Sequence, residues 1–276
     1  MRNASPLRYP GGKWRLAQFF EQLVALNFAK PPRYVEPYAG GASLALSLLF
    51  SETVSEIFLN DLDPAIHAFW HSVLKRTHAL TDLIAKTDVT PAEWRRQKRI
   101  YATGLSAGRL PLAFATFFLN RTNHSGILNG GMIGGKNQSG DWKLDARFNR
   151  SELISRIKRI AAYRERIHLS NVDAADLIHR HKRTRGKLLY LDPPYYRPAH
   201  LYLNTYRPDD HIQLRDSILK LDCKWVVSYD DVPEIRKLYR HQASRHVELL
   251  HTARAARVGK EVIFFCSELR IPILES

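Results

Sequence analysis

Residues 33–61 read RYVEPYAGGASLALSLLFSETVSEIFLND, and their order decides the fold. Residues 33–38 read as a short strand, Gly40 and Gly41 as a turn, residues 42–50 as a helix of small and apolar side chains, and residues 57–59 as a second strand ending at Asn60 and Asp61. Strand, glycine turn, helix and strand in succession form a unit of an α/β fold, in which ligands bind beyond the carboxyl ends of the strands. Working outward, further strands are expected at 167–169, 187–191, 225–228 and 261–266, with helices at 151–163, 211–221 and 232–241. The sheet is therefore expected to be mostly parallel and covered by helices. Between Asp63 and about Arg150 the pattern changes to helices followed by a polar, glycine-rich stretch at 120–141, which reads as an inserted second domain. No repeat or low-complexity tract interrupts the chain.

At 276 residues the chain can bury a full core without disulfides or metals to staple it. Its 45% hydrophobic and 25% charged residues are ordinary for a soluble globular protein. No apolar stretch approaches the ~18 residues of a membrane span, and the first ten residues hold no signal-peptide core, so cytoplasmic residence is expected. Cys223 and Cys266 lack the paired Cys or His spacing of a zinc site, so free thiols and no metal are expected, and zinc-dependent base deamination is disfavoured. Forty-two Lys and Arg against 27 Asp and Glu give a formal charge of +15. Such an excess is the usual electrostatic footprint of a polyanionic partner, and nucleic acid is the expected one. The excess is clustered, with Arg95, Arg96, Lys98 and Arg99 together and ten basic against three acidic residues over 156–187.

The chemistry is concentrated in Asp192, Pro193, Pro194 and Tyr195, carried out of the apolar run 188–191. This group suits methylation of an exocyclic amino group on a planar base. The amino nitrogen of adenine is a poor nucleophile because its lone pair is delocalised into the ring. The Asp192 carboxylate and the Pro193 carbonyl can accept the two amino hydrogens and so favour a tetrahedral nitrogen, a case of fixed acceptors stabilising developing charge. The prolines hold that arrangement, since proline fixes its own φ and extends the residue before it. Tyr195 can stack on the base. A strand ending in a proline turn with an aromatic cap is the plain alternative for these four residues. At the other end, Gly40 and Gly41 allow close approach to a ligand, and Asp61, 21 residues after Gly40, can grip both hydroxyls of a ribose. A helix cap or turn is the alternative for Asp61, although Asp63 followed by Pro64 fits a cap better. The loop lacks G-x-G-x-x-G spacing and a Walker lysine, so a smaller nucleoside cofactor, S-adenosylmethionine, is expected in place of a dinucleotide or triphosphate.

Five blocks in one order then carry a resemblance. They are Arg8-Tyr9-Pro10-Gly11-Gly12-Lys13, residues 35–41 (VEPYAGG), Asn60-Asp61-Leu62-Asp63, Leu119-Asn120-Arg121, and Asp192 to Tyr195. In them the chain resembles the Dam-type DNA adenine-N6 methyltransferases over nearly its whole length. The resemblance implies an α/β fold, a Rossmann-like class I methyltransferase sheet formed by residues 1–64 and 150–276, with a mainly helical DNA-recognition domain inserted at 65–149. It implies that Tyr9 and Lys13 lie at the cofactor, Glu36 and Gly40 around its methionine part, Asp61 at the ribose and Asp173 beside the adenine, with Asp192 next to the methyl group. It places the DNA-reading hairpin at Asn120, Arg121, Asn123, His124 and Ser125. Asn129 falls where GATC-specific relatives carry arginine, so GATC specificity does not transfer. Because a duplex hides the amino group, the target adenine would be flipped into the pocket. Double-stranded DNA is the expected partner and a cognate restriction endonuclease a candidate one, while one pocket and one hairpin per chain suffice for a monomer. Two other readings stay open: a ribosomal RNA base amino-methyltransferase, since Asp-Pro-Pro-Tyr also occurs in such enzymes, and a non-catalytic DNA-binding module.

Overall fold

The computed structural model describes residues 4–9, 13–182, 185–196, 206–251 and 257–273. Among them seven strands form one sheet: β1 Arg33–Glu36, β2 Glu56–Asn60, β3 Ile167–Ser170, β4 Lys187–Leu191, β5 Lys224–Asp230, β6 Ala243–His251 and β7 Arg257–Phe265. Their order across the sheet is β3-β2-β1-β4-β5-β7-β6. Strands β1 to β5 run parallel, whereas β7 is antiparallel to both β5 and β6. The chain therefore winds outward from β1 through β2 to β3 on one side, and from β4 on the other. The crevice where that order reverses lies at the carboxyl ends of β1 and β4, which is where a doubly wound sheet receives its ligand.

The helices among the described residues are α1 Ala17–Asn27, α2 Ser43–Phe50, α3 Pro64–Lys75, α4 Thr77–Lys86, α5 Pro91–Thr103, α6 Arg109–Thr122, α7 Arg150–Ala162, α8 Ala174–Arg180, α9 Pro208–Ile218 and α10 Pro233–Leu238. Their starts follow capping chemistry. Asp63 accepts the Ala65 N–H at 2.8 Å with Pro64 in the first turn, as the pair of residues predicted. Thr90 caps α5 ahead of Pro91, and Asn149 caps α7. Every residue of β4 is buried, in keeping with a central parallel strand shielded on both faces. Phe69, Leu80, Phe117 and Ile157, from α3, α4, α6 and α7, join the same hydrophobic core as Val35 and Leu189 of the sheet.

Three expectations are revised. The strand expected at 261–266 begins four residues earlier, at Arg257, and pairs with β6, which was not expected at all. The helix expected at 232–241 stops at Leu238. The residues expected to form a hairpin, from Asn120 to Ser125, do not form a strand pair: Asn120 and Arg121 complete the last turn of α6, and the turns that follow carry one isolated antiparallel bridge, Asn123 to Met132. Glycines in this stretch favour turns over a ladder, with Gly126, Gly134 and Gly135 all at positive φ. No helix among the described residues is long and apolar enough to cross a membrane.

Candidate functional site

A cavity of about 220 Å³ opens at the carboxyl ends of the parallel strands, and Tyr9, Lys13, Glu36, Gly40, Asp61, Asp173, Asp192 and Pro194 line it. The sheet explains how distant residues meet there. Glu36 ends β1, Asp61 follows β2, Asp173 precedes α8 beyond β3, and Asp192 follows β4, so four successive parallel strands each deliver one carboxyl group to the same edge.

Asp192 is held from two sides. The Ser228 hydroxyl on β5 donates to its Oδ1 at 2.8 Å, and the Lys13 ammonium lies 3.1 Å from the same oxygen. Ser228 is itself hydrogen-bonded to the Tyr190 hydroxyl at 2.8 Å. Both contacts to Asp192 fall on Oδ1, so Oδ2 carries neither. Burial raises the Asp192 pKa, Lys13 opposes this, and Glu261 adds to it. Lys13 itself is depressed by burial, but Asp192 and Glu261 more than reverse that effect and hold it charged. Lys13, expected at the cofactor, has two carboxylates of the protein as its neighbours in the structure.

The glycine turn is built around Tyr9. Gly40 has φ +46°, and a Cβ added there would meet the Tyr9 ring at 2.6 Å. The space that the glycines were expected to leave for a ligand is thus partly filled by an aromatic side chain, which forms a wall of the cavity. Asp61 fixes the turn, its Oδ2 accepting from Gly40 N at 2.8 Å and its Oδ1 from Asp63 N at 2.9 Å. Each of its oxygens keeps a second acceptor site for a hydroxyl. Burial raises its pKa to about 6. Asn60, given no role of its own above, ties the neighbouring loops together by donating to the Pro37 and Val172 carbonyls, both at 3.0 Å.

Glu36 is buried, accepts from the Tyr34 hydroxyl at 2.9 Å, and accepts the Ala45 N–H in the first turn of α2. It stands in for the side-chain cap that α2 lacks at Ala42. Burial raises its pKa to about 8, against the Tyr34 hydrogen bond, so near neutrality it is largely an uncharged acid. Asp173 is exposed and caps α8 by accepting from Ala175 N at 2.8 Å. Tyr38 and Tyr206, which hydrogen-bond each other through their hydroxyls at 2.8 Å, also line the cavity. Sequence reading did not single them out.

Of the Asp192 group, Asp192 and Pro194 line the cavity, whereas Pro193, which is buried, and Tyr195 do not. The Tyr195 hydroxyl donates to Glu261. Pro10, Gly11 and Gly12 of the first motif lie outside the described residues.

The residues expected on DNA divide sharply. Asn120 and Asn123 are 1% and 0% exposed, and their amides bind backbone and, in Asn123, the Trp94 indole. Asn120 accepts from Arg8 N at 2.7 Å and donates to Arg8 O at 2.8 Å and Gly126 O at 2.9 Å. Asn123 accepts from the Trp94 indole at 2.7 Å and donates to Ile127 O at 2.8 Å and Leu128 O at 3.0 Å. Direct DNA contact by these two side chains is therefore corrected to a scaffolding role, because buried amides with satisfied partners offer nothing to a groove. Arg121 is half-buried and donates to Arg147 O at 2.7 Å; burial and the nearby Arg8 and Arg156 lower its pKa. His124 is exposed and Ser125 half-buried. Four residues beyond Ser125, Asn129 is exposed and lies on the cavity wall with Ile127 and Leu128.

The residues fit an adenosine cofactor bearing an amino acid. Asp61 keeps acceptor sites of the kind a ribose hydroxyl uses and Tyr9 forms an aromatic wall, both around one cavity, whereas Lys13 is already paired with Asp192 and Glu261. Among known proteins, the description of the D12 class N6 adenine-specific DNA methyltransferases matches residues 9–253. Among solved structures, the rRNA methyltransferase aviRa from Streptomyces viridochromogenes is similar over 94% of this chain and 87% of its own, at 14% identity and a TM-score of 0.43. A SAM-dependent methyltransferase from Agrobacterium tumefaciens is similar over 91% of this chain and 62% of its own, at 11% identity and a TM-score of 0.42. No curated protein matches the chain.

Proposed function

Because this chain belongs to the D12 class N6 adenine-specific DNA methyltransferase family, we propose that it methylates the exocyclic amino group of an adenine flipped out of duplex DNA. It is an S-adenosylmethionine-dependent methyltransferase. The observation that carries the substrate reading is the Asp192 carboxylate at the cavity, with Oδ1 engaged by Ser228 and Lys13. Asp192 Oδ2 and the Pro193 carbonyl accept the two amino hydrogens and return the lone pair to nitrogen. When bound, S-adenosylmethionine would supply to that nitrogen a methyl group carried on a positively charged sulfur, which would leave with the electron pair of the carbon–sulfur bond. The resulting methylammonium is acidic and loses its proton readily, so Asp192 need not act as a permanent base.

In this reading Asp61 takes the ribose hydroxyls, Tyr9 lies at the cofactor, Glu36 and Gly40 border its methionine part, and Asp173 borders the adenine. Residues 65–149 carry DNA recognition, with Arg121, His124 and Ser125 near the duplex and the segment 126–129 beside the flipped base. One chain supplies one such site, which a monomer can use.

The test uses purified protein, isotopically labelled S-adenosylmethionine and adenine-unmethylated plasmid DNA, read by nucleoside mass spectrometry. Labelled N6-methyladenine is expected with the wild type and not with Asp192→Ala, whose cofactor affinity should stay within about tenfold, or ~1.4 kcal/mol. Label appearing in ribosomal RNA and never in DNA would overturn the substrate, and a folded Asp192→Ala that loses cofactor would make Asp192 a binding residue first.

A further inference from the structure

We infer that Glu261 on β7 is a positioning residue for methyl transfer, holding the Lys13 ammonium and the Tyr195 ring in place behind the acceptor Asp192. The inference deepens the reading above and rests on it. Because β7 runs antiparallel to β5, its early residues lie at the carboxyl edge of the parallel strands, and Glu261 pairs with Asp230, the last residue of β5. That register brings a carboxylate from the late chain behind the site. Glu261 is 1% exposed. One of its oxygens pairs with the Lys13 ammonium, and the other accepts from the Tyr195 hydroxyl. Lys13 in turn lies 3.1 Å from Asp192 Oδ1.

A buried ion group of this kind is poor evidence for a gain in stability, since apolar side chains of similar volume often serve as well or better. Geometry gives it another use. Tyr195 belongs to the segment that follows Asp192, and the next residue, Tyr196, donates its N–H to Asp230 at 2.9 Å. Two consecutive residues that follow Asp192 and Pro194 of the cavity wall are thus fastened to β5 and β7, one by side chain and one by backbone. Glu261 supplies the side-chain fastening and anchors the cation that holds Asp192 Oδ1. Loss of its charge would leave Lys13 with Asp192 as its remaining paired carboxylate, and a single acceptor where Lys13 and Tyr195 now have one each. A displacement of about 1 Å at a reacting centre costs about 100-fold in rate.

The groups facing Asp192 are Lys13, Glu261, Tyr190, Ser228, Tyr34 and Glu36. Of these, Glu261 raises the Asp192 pKa and Lys13 lowers it, so Glu261→Gln should move the acid limb of the kcat profile to lower pH.

The experiment compares wild type, Glu261→Gln, Tyr195→Phe and the double variant for kcat, cofactor affinity, pH profile and thermal unfolding on unmethylated duplex DNA. Glu261→Gln is expected to lower kcat about 100-fold while cofactor affinity stays within about threefold, with the acid limb shifted down. Tyr195→Phe should lower kcat without that shift. The double variant should lose less than the product of the two single losses, because the amide of Glu261→Gln keeps one acceptor where the carboxylate offers Lys13 and Tyr195 one each, so both substitutions weaken the same set of contacts. A Glu261→Gln enzyme with wild-type kcat, losses that multiply, or an unmoved acid limb would overturn the inference. If that variant fails to fold, Tyr195→Phe decides, and unchanged kcat in it overturns the role. A wild type inactive on DNA rejects the substrate reading alone; the same four proteins assayed on ribosomal RNA then decide for Glu261 by the same criteria.

Discussion

Asp61 shows how one residue type serves two purposes. Its two oxygens each accept a backbone N–H and thereby shape the glycine turn, while each retains an acceptor site toward the cavity. Burial raises its pKa from 3.8 to about 6. At pH 7.5 the group is ionised and accepts fully; at pH 5 most of it carries a proton, loses acceptor capacity and loosens its hold on Gly40. Affinity for S-adenosylmethionine is therefore expected to fall as pH drops through about 6, approaching about tenfold per unit. Asp61→Asn should bind weakly at every pH and lose that dependence. Calorimetric titration between pH 5 and 8 checks this, and a wild-type affinity that is flat over that range would remove Asp61 from the ribose. At this scale the place of Asp192, Asp61 and Gly40 on the cavity wall was legible in the sequence, because residues that follow parallel strands gather at one edge of the sheet. Asn120 and Asn123 were not. An amide that reads a base and an amide that staples a loop are the same side chain, and burial alone separates them.

The elements make the same point through register. β6 escaped notice because its residues, from Ala243 through Arg245, His246 and Glu248, lack an apolar run, as suits a strand at the sheet edge. Glu261 was visible as a strand residue, but its place behind Asp192 depends on β7 running antiparallel between β5 and β6, which no local pattern carries. The end of α6 is the element with most at stake. Asn120 in its last turn clasps Arg8 in both directions, and Arg8 precedes Tyr9, whose ring lies against Gly40 and Gly41. Asn120→Ala leaves Arg8 N and O and Gly126 O without those partners, at a cost of about 1–3 kcal/mol for each group left buried and unpaired. Unfolding in denaturant should register a loss of that order. Hydrogen exchange should quicken at residues 4–9 and 123–130 together; exchange that quickens in only one of the two segments would break the proposed link between loop and cofactor wall.

For the whole molecule the governing quantity is charge. A formal +15 over 276 residues is distributed in clusters, including the ten basic residues of 156–187, several of which are engaged in protein contacts. If duplex DNA is the substrate, its phosphates displace counterions on binding, and affinity is expected to fall about a thousandfold between about 50 and about 200 mM salt. Fluorescence anisotropy with a labelled duplex measures the slope, and a near-zero slope would mean that the basic surface does not meet the backbone of DNA. The Lys13 to Glu261 contact has a further consequence. Its partners are 248 residues apart, so the cation and its counter-carboxylate meet only after the chain between them has closed into the sheet. Loop-closure entropy makes such contacts slow to form, whereas helices such as α3 and α6 need only near neighbours. In a refolding experiment the helical circular dichroism signal should therefore return before competence to transfer a methyl group, and the interval between the two is the time the chain takes to bring its first residues against its last strand.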